Sequence, residues 1–409
     1  MTVPPLEGDD AARVVVVGGG MAGLTAAYRL MQAGCRVVVL EAQDRIGGRV
    51  RSLTLENGAV AELGGEWIDS DQRFVSDLAL ELGVAMSPVG VDFSHRDPMG
   101  HAPIPISEHR RVAEAVSKAA ESFATSAGHE RTAAELLAEA DDRSVAFTVL
   151  RRRLEGSAGV PLGQVAAGQI VGDFGVGEST YLRMDQGNEA LARAIAEALP
   201  DVRTAQPVRE IVTTDHEVEV RTSGGGFTAD AVVVSVPLPI VSRIRFAPPL
   251  RSDLADAIAS LAMGTAAKFV APTVSTPPLL AHQGVDATWW CWTGASNGEV
   301  RNVVTGFAGT RTAIDTVSGD WHARLATVIP NIPLGAGVFL DWGKSEWSGG
   351  CYSSLGPGDE ARLGAFTRES SVVFAGEHTL GAGTIDGAIE SGERAATRLM
   401  HFLSRPRRG

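Results

Sequence analysis

A glycine-rich turn near the start of the chain limits the possible folds more than any other feature of the sequence. Arg13 to Val17 is a short β-branched apolar run, and residues 18–23 read GGGMAG, which matches G-x-G-x-x-G. Apolar residues then follow a helical spacing from Met21 to Ala33, and Val37 to Leu40 is a second apolar run. This order predicts a βαβ unit that begins a parallel sheet.

The glycines of this turn suit a phosphate-binding backbone. Gly18 permits the tight turn, Gly20 lets the backbone approach a pyrophosphate, and Gly23 lets helix and strand pack closely. The N-terminus of the helix offers N–H groups and partial positive charge. Glu41 ends the second strand 23 residues after Gly18, where an acidic residue accepts hydrogen bonds from ribose hydroxyls. The sequence therefore predicts a dinucleotide site, and one that disfavours a 2′-phosphate.

A second glycine-rich turn follows at once. Residues 41–49 read EAQDRIGGR, and the guanidinium groups of Arg45 and Arg49 suit bidentate contacts with phosphate oxygens. A plain nicotinamide dinucleotide does not need this second cradle. The E-x-x-x-R-x-G-G-R string resembles the flavin-containing amine oxidase family, whose superfamily includes phytoene desaturase-like and protoporphyrinogen oxidase-like branches. The resemblance implies that both turns hold FAD. Other contacts that it implies in these turns are Met21, Ala22, Ala42 and Gly48.

The resemblance continues from residue 14 to residue 396 and so covers most of the chain. Similar segments are residues 63–67 (LGGEW), 184–188, 207–208, 229–238 (ADAVVVSVPL), 374–378 (FAGEH) and 387–392 (GAIESG). The further cofactor contacts that the resemblance implies are Gly64, Gly65, Glu66, Trp67, Val208, Trp347, Gly376, Glu377, Thr384 and Ile385.

The expected fold class is α/β, with a Rossmann-type FAD-binding domain and an interleaved α+β substrate-binding domain. The 409 residues are too many for one ordinary core. Residues 108–156 have the pattern of amphipathic helices, whereas residues 267–339 have strand-like runs between Gly, Pro and Asn breaks. A hairpin at residues 217–226 is expected to lead a strand at 229–236 back into the first sheet. We assign 1–70, 182–240 and 351–409 to the FAD-binding domain, and 71–181 and 241–350 to the substrate-binding domain.

Within the family, the segment near residue 350 most resembles monoamine oxidases. Residues 342–352 read WGKSEWSGGCY, and Cys351 stands where those enzymes join a cysteine to the 8α carbon of FAD. The resemblance therefore implies FAD bound covalently through Cys351. The alternative is an ordinary buried cysteine, which is common in protein cores.

The resemblance also implies three catalytic residues. Lys268 corresponds to a family lysine that holds a water at flavin N5, Trp342 to a tryptophan that flanks the flavin, and Tyr352 to one wall of an aromatic cage that steers the amine. Monoamine oxidases have a tyrosine at the position of Thr384, so half of that cage is missing here. One candidate replacement is the aromatic run Trp289, Trp290 and Trp292, which could equally pack in the core.

Glu66 is an unusual residue for its position after two glycines. Its carboxylate could make a structural or flavin contact, pair with Lys268, or bind the second cationic group of a diamine. The sequence leaves these three alternatives open.

The function expected is that of an FAD-dependent amine oxidase. A primary or secondary amine would lose hydride to flavin N5 and become an imine, and molecular oxygen would be reduced to hydrogen peroxide. One alternative is an L-amino acid oxidase, which needs an arginine for the substrate carboxylate, and Arg96 and Arg183 are candidates. A second alternative is a carbon-skeleton desaturase, which fits the Cys351 segment poorly. The alternative from another functional class is a binding protein that uses FAD only structurally.

Composition narrows the partners. A net charge of −13 disfavours nucleic acid, because only short arginine clusters occur, at 151–153 and in the tail. Nine histidines without paired spacing and three scattered cysteines favour neither a metal site nor a disulfide framework. Residues 1–12 lack the pattern of a signal peptide, and no long apolar run suggests a membrane span. We expect a cytoplasmic protein and consider a homodimer as its assembly.

One motif is better explained by structure than by catalysis. Residues 294–298 read GASNG and match the G-x-S-x-G string of hydrolases. That motif requires a helix after the turn. Residues 301–307 have a strand pattern instead, so we predict a hairpin turn.

Overall fold

The first strand pairs on both sides within a parallel sheet. The computed structural model describes residues 11–124, 131–175, 177 and 179–405, so residues 1–10 and the tail arginines 407 and 408 lie outside the described residues. The pairing of adjacent strands is parallel throughout. The strands of this first sheet, in spatial order, are Val372–Phe374, Ala231–Val234, Arg13–Val17, Arg36–Leu40 and Val202–Arg203.

Both faces of the first sheet are covered, as a parallel sheet of near-continuous apolar strands requires. Val14 and Val16 pack on one side with the first helix (Met21–Gln32) and the last helix (Ile385–Leu403). Val15 on the opposite side packs into a second apolar cluster. The predicted βαβ unit and the α/β fold class are therefore confirmed.

A six-stranded sheet forms the second large layer. Its pairings are antiparallel except for the short parallel pair at one edge. It arises from the region of alternating strand-like runs. In spatial order its strands are Val338–Asp341, Ala266–Pro272, Val303–Gly309, Trp289–Trp292, Ala281–Gln283 and Asp97–Pro98.

The predicted hairpin forms, but its return strand is shorter than expected. The expected strand at 229–236 is divided at Asp230, because Gly225–Ala229 completes the hairpin with Val218–Thr222, while Ala231–Val234 joins the first sheet. The hairpin belongs to a separate four-stranded sheet of Gly225–Ala229, Val218–Thr222, Val208–Thr213 and Arg245–Ala247.

The sheets relate to the proposed domain segments in a simple way. Every strand of the first sheet lies in a segment assigned to the FAD-binding domain, and every strand of the six-stranded sheet in one assigned to the substrate-binding domain. Arg245–Ala247 lies beyond the assigned boundary at residue 240, yet it pairs with Val208–Thr213. The exact domain boundaries stay a prediction.

The remaining elements are short strands and helices. A three-stranded sheet contains Ile68–Asp69, Tyr181–Met184 and Met86–Pro88. Three strand pairs are Ser52–Thr54 with Val60–Glu62, Ala262–Met263 with Ser353–Ser354, and Ala295–Ser296 with Glu299–Val300. The other α-helices described are Arg73–Glu81, Ile106–Ala124, Ala133–Glu139, Val145–Ala158, Glu189–Ala198, Leu238–Val241, Ser252–Ser260, Arg311–Val317 and Trp321–Val328. The 3₁₀ helices are Leu162–Gln164, Ala167–Gln169, Trp342–Lys344, Asp359–Thr367 and Glu377–Thr379.

The turn at residues 294–298 forms the predicted hairpin. Ala295–Ser296 pairs with Glu299–Val300, and Asn297 and Gly298 adopt positive φ. The strand Val303–Gly309 follows. The segment therefore lacks the strand, turn and helix order that a hydrolase nucleophile requires.

Candidate active site

A cavity of about 580 Å³ lies between the first sheet and the six-stranded sheet. One side consists of residues at the carboxyl ends of parallel strands, including Gly18, Glu41, Ser235 and Gly376. The other side includes side chains of the six-stranded sheet. The carboxyl edge of a parallel sheet is the usual place for a dinucleotide.

Two glycines of the turn at residues 18–23, Gly20 and Gly23, have different structural roles. A Cβ on Gly23 would lie 2.1 Å from the carbonyl oxygen of Gly18, so only glycine fits the packing of turn and helix. A Cβ on Gly20 would meet no protein atom closer than 3.9 Å, so the space beside it is open on the cavity. No side chain caps the helix at Gly20. The free helix N-terminus and this open space fit a pyrophosphate.

The acidic residue after the second strand also orders the two turns. The carboxylate of Glu41 accepts hydrogen bonds from the backbone N–H of Gly19 at 2.7 Å and of Gln43 at 2.9 Å. Glu41 lines the cavity. Two acceptor oxygens offer further lone pairs, so the position retains capacity for a ribose hydroxyl.

The two arginines of the second turn make internal contacts. Arg45 donates to the carbonyl oxygens of Ile46 and Gly48 at 3.1 and 2.8 Å, and it is not among the cavity-lining residues. Arg49 lines the cavity and pairs with Glu377 at 2.7 Å. Arg45 thus braces the turn, whereas Arg49 links the turn to the chain near residue 377.

Lys268 lies on the strand Ala266–Pro272 and is clamped at the cavity wall. Its ammonium donates to the carbonyl oxygen of Gly64 at 2.9 Å and to Glu66 at 2.7 Å. It also lies 5.1 Å from the ring centroid of Trp292, whose Nε1 donates to Glu66 at 3.3 Å. Of the three alternatives for Glu66, the structure therefore contains the pair with Lys268.

Glu66 belongs to a buried group of five charges, which we call the charge network. Arg183 pairs with Glu62 at 2.9 Å and with Glu66 at 3.4 Å, and Arg301 pairs with Glu66 at 3.2 Å. With Lys268, the network holds three cations and two carboxylates. The side chains of Glu62, Glu66 and Arg183 have no exposed surface. Arg183 is thus engaged by carboxylates of the protein, which removes it as a receptor for a substrate carboxylate.

Trp342, Cys351 and Tyr352 pack together beside Lys268's strand. The indole of Trp342 donates to the carbonyl oxygen of Leu63 at 2.8 Å, and the hydroxyl of Tyr352 donates to that of Gly156 at 2.7 Å. All three line the cavity. Burial raises the pKa of the Cys351 thiol to about 12. Hydrogen bonds therefore hold both rings in fixed orientations next to a buried thiol.

Thr384 acts as the N-cap of the last helix, Ile385–Leu403. Its hydroxyl accepts from the backbone N–H of Gly387 at 2.9 Å, and both Thr384 and Ile385 line the cavity. This capping role suits threonine and gives no second aromatic ring opposite Tyr352.

A different set of aromatic rings, which we call the aromatic wall, lines the cavity. Trp290 and Trp292 stack with centroids 4.0 Å apart, whereas Trp289 faces the opposite side of the strand and packs near Phe269. The alternation of a β-strand separates these side chains. The members of the aromatic wall are Trp67, Phe93, Tyr181, Trp290 and Trp292.

Arg96 lies against the aromatic wall and lines the cavity. Its guanidinium carbon is 3.6 Å from the ring centroid of Trp290 and 4.4 Å from that of Phe93. Nε donates to the carbonyl oxygen of Phe93 at 2.8 Å, and Nη1 donates to Oε1 of Gln283 at 2.9 Å. These acceptors are neutral.

The comparisons with known proteins agree with this geometry. The family model described as flavin containing amine oxidoreductase matches residues 21–400. A probable flavin-containing monoamine oxidase A from Dictyostelium discoideum is 24% identical and covers 95% of this chain and 98% of its own. A putrescine oxidase from Kocuria rosea is 26% identical over 95% of each chain. The solved structure of cyclohexylamine oxidase from Brevibacterium oxydans has a TM-score of 0.83 at 21% identity, over 97% of this chain and 100% of that one.

This chain belongs to the flavin-containing amine oxidoreductase family. The family match covers the whole six-stranded sheet and four of the five strands of the first sheet, all except Arg13–Val17. The protein is therefore an FAD-dependent oxidoreductase that acts on CH–NH donors. No helix among the described residues is long and apolar enough to cross a membrane.

Most residues that the sequence proposed for FAD and catalysis meet at this one cavity. Gly23 and Arg45 do not line it, because the first supports packing and the second braces its own turn. Their proposed contacts with FAD stay predictions. The predicted residues that line the cavity are Gly18, Gly20, Met21, Ala22, Glu41, Ala42, Gly48, Arg49, Gly64, Gly65, Glu66, Trp67, Val208, Lys268, Trp342, Trp347, Cys351, Tyr352, Gly376, Glu377, Thr384 and Ile385.

The sequence did not point to several residues of the cavity and of the charge network. Phe93 and Phe307 are single aromatics without a motif, and Tyr181 lies on a short strand. Glu62 and Arg301 join the charge network through partners more than 100 residues away. No local pattern could have identified them, because their roles depend on distant pairing.

Proposed function

We propose that this family member oxidises a primary or secondary amine to an imine and releases hydrogen peroxide. The observation that carries the proposal is the position of Lys268, which lies on the wall of a cavity shared by the phosphate-binding turns and the aromatic wall. When bound, FAD supplies the acceptor for the hydride from the carbon next to nitrogen and passes two electrons to oxygen. The balance is amine plus oxygen to imine plus hydrogen peroxide.

The protein's own contribution is orientation and exclusion of water. An aromatic lining favours the neutral amine, because removal from water disfavours an ammonium ion. Stacked Trp290 and Trp292 leave a rigid surface for the carbon skeleton. The proposed amine therefore binds in its reactive, uncharged form.

Three side chains are proposed to act at the reacting centre. Lys268 has donors fixed by Gly64 and Glu66, which suits the holding of one ordered water. Trp342 and Tyr352 are each tied by a hydrogen bond to a backbone carbonyl, so their rings border the substrate without rearrangement. Fixed groups of this kind cost little reorganisation at the moment of reaction.

Cys351 is proposed to carry the FAD through a thioether. Its formation would remove the thiol hydrogen and one hydrogen of the 8α methyl group, and it would leave the flavin reduced by two electrons until oxygen reoxidises it. Its thiol is buried in the cavity wall beside Trp342 and Tyr352. Backbone hydrogen bonds tie this segment to Gly264, because Cys351 donates to its carbonyl and Gly264 donates to that of Tyr352. The sulfur is thus held on a segment that backbone hydrogen bonds brace, just before the short strand Ser353–Ser354.

Anaerobic reduction by a substrate panel tests the function. Purified holoenzyme is mixed without oxygen with monoamines, diamines and amino acids, and the flavin absorbance is followed. We expect bleaching by at least one compound, and one hydrogen peroxide per turnover once oxygen is admitted. A panel in which no amine or amino acid bleaches the flavin would contradict the proposal.

A further inference from the structure

Arg96 is a buried cation without a carboxylate partner. Its exposed fraction is 1%, and no carboxylate of the described residues lies within 4.0 Å of its nitrogens. Among the residues that the structure describes, three cationic side chains line the cavity. Arg49 pairs with Glu377 and Lys268 pairs with Glu66, so Arg96 is the one of these three left with neutral partners.

One edge of the Arg96 guanidinium remains available. Nε and Nη1 each donate one hydrogen bond, while Nη2 donates none to any described residue. A guanidinium has five N–H donors, so at least three are uncommitted. Since Arg96 lines the cavity, an acceptor in the cavity can meet them.

Neighbouring charges do not balance Arg96. Asp92 acts on it through space, but the Asp92 carboxylate accepts from the N–H and hydroxyl of Ser94 at 2.7 and 2.6 Å. Burial lowers the pKa of Arg96, and the positive charge of Arg153, which is also buried, lowers it further. A buried, unbalanced charge is costly unless a partner is supplied.

The site is built to keep that charge in place. Trp290 and Phe93 lie against the guanidinium, and Gln283, which has no exposed surface, fixes one nitrogen. Stacking on aromatic faces suits arginine and leaves its edge free. Tyr352, the proposed boundary of the reacting centre, lines the same cavity as Arg96.

We propose that the substrate carries a carboxylate as well as the amine, and that Arg96 binds this carboxylate. The proposal rests on the proposed amine oxidation, because the amine group of the same molecule must be the group that is oxidised. The chemical class is an amino acid rather than a plain monoamine or a diamine. The aromatic wall around Arg96 favours an apolar or aromatic skeleton between the two groups.

Matched pairs of compounds test the proposal in the holoenzyme. Each pair differs only by the carboxylate: phenethylamine and L-phenylalanine, tryptamine and L-tryptophan, butylamine and 5-aminopentanoate. We expect kcat/KM of at least one pair to favour the amino acid about tenfold or more, since a charge-assisted hydrogen bond contributes on the order of this much. Equal or higher kcat/KM for the amine of every pair, or a preference for putrescine over butylamine, would overturn it.

Variants of Arg96 separate charge recognition from folding. Arg96→Met should raise KM for the amino acid about 30-fold or more and change kcat/KM for the matched amine less than about threefold. Arg96→Lys keeps the charge and should recover part of the loss. The exposed Arg111→Met is the matched control and should change neither. An equal loss for both compounds of a pair would overturn the proposal.

A binding measurement keeps the outcome independent of turnover. Benzoate is titrated into oxidised holoenzyme while the flavin spectrum is recorded, for the native protein and for Arg96→Met. We expect saturable perturbation that weakens at least about tenfold in the variant. If no amine or amino acid is oxidised, the proposed function fails, and the benzoate titration still decides whether Arg96 binds carboxylates. Equal benzoate affinity in both proteins would overturn this inference alone.

Discussion

Two buried arginines near the same cavity differ in how the protein treats their charge. Arg183 has no exposed surface and pairs with Glu62 and Glu66. Arg96 is buried to nearly the same degree, but it lies against Trp290 and hydrogen-bonds only neutral oxygens. In the charge network the protein supplies its own counterions, whereas the aromatic wall leaves a counterion to be supplied.

This difference shows that the burial of a cation does not by itself indicate its role, because its partners decide that role. A buried cation that is paired with carboxylates of the protein holds a site in shape, because removing a carboxylate leaves an uncompensated positive charge. A buried cation with free N–H donors on a cavity instead favours a ligand of opposite charge. The predictions below test each half of this comparison.

The largest effect is expected from removal of a carboxylate in the charge network. Glu66→Gln leaves Arg183, Lys268 and Arg301 with Glu62 alone, so the free energy of unfolding should fall by about 3–5 kcal/mol. Urea unfolding measures this. Glu81→Gln is the control, because Glu81 is partly exposed and pairs with Arg29. Its expected loss is about 0–1 kcal/mol, and an equal loss in the two variants would contradict a special role for the network.

A cation of the network should affect chemistry more than stability. Lys268→Met leaves two cations and two carboxylates, so the network stays balanced and unfolding should change little. The rate of flavin reduction or reoxidation should fall about 100-fold, which is the usual range for loss of a positioned proton-handling group. Stopped-flow absorbance measures both steps. Lys344→Met, at a side chain that is 77% exposed, should leave both rates unchanged. Native rates in Lys268→Met would refute the proposed role.

The thioether proposal gives a pH-dependent prediction. Acid-precipitated native protein should retain yellow colour in the pellet, and Cys351→Ser should release it to the supernatant. Because burial raises the pKa of Cys351 to about 12, the thiol is neutral at pH 7. The attacking thiolate therefore becomes more abundant as pH rises, so attachment of FAD to apoprotein should accelerate about tenfold per pH unit below that pKa. Colour in the native supernatant would exclude the covalent bond.

The smallest effect is expected in the aromatic wall. Trp290→Phe keeps a ring beside Arg96 but weakens the cation–π contact, so KM for the preferred substrate should rise about threefold. Trp289→Phe changes the neighbouring residue on the opposite face of the same strand and should leave KM unchanged. Steady-state kinetics of both variants measure the difference. An equal change in both would show that the cavity-facing side has no special part.

Most of the cofactor contacts that local patterns predicted lie at one cavity. Gly18, Glu41 and Ser235 each follow a strand of the first sheet and meet at the cavity, because parallel strands bring their carboxyl ends to one edge. Local patterns did not predict the internal hydrogen bonds of Arg45, which the sequence had assigned to phosphate. Its donors turn toward carbonyl oxygens of its own turn, which is a matter of local backbone geometry.

The sequence by itself determined the βαβ unit and the family, because these depend on short strings with strict steric demands at each glycine. Only the tertiary structure decided which charges were balanced. Arg96 and Arg183 looked equivalent as candidate carboxylate receptors, and Glu66 had three open roles. The structure pairs Arg183 with Glu62 and Glu66, and Glu66 with Lys268, since the surroundings of a buried charge depend on partners from distant parts of the chain.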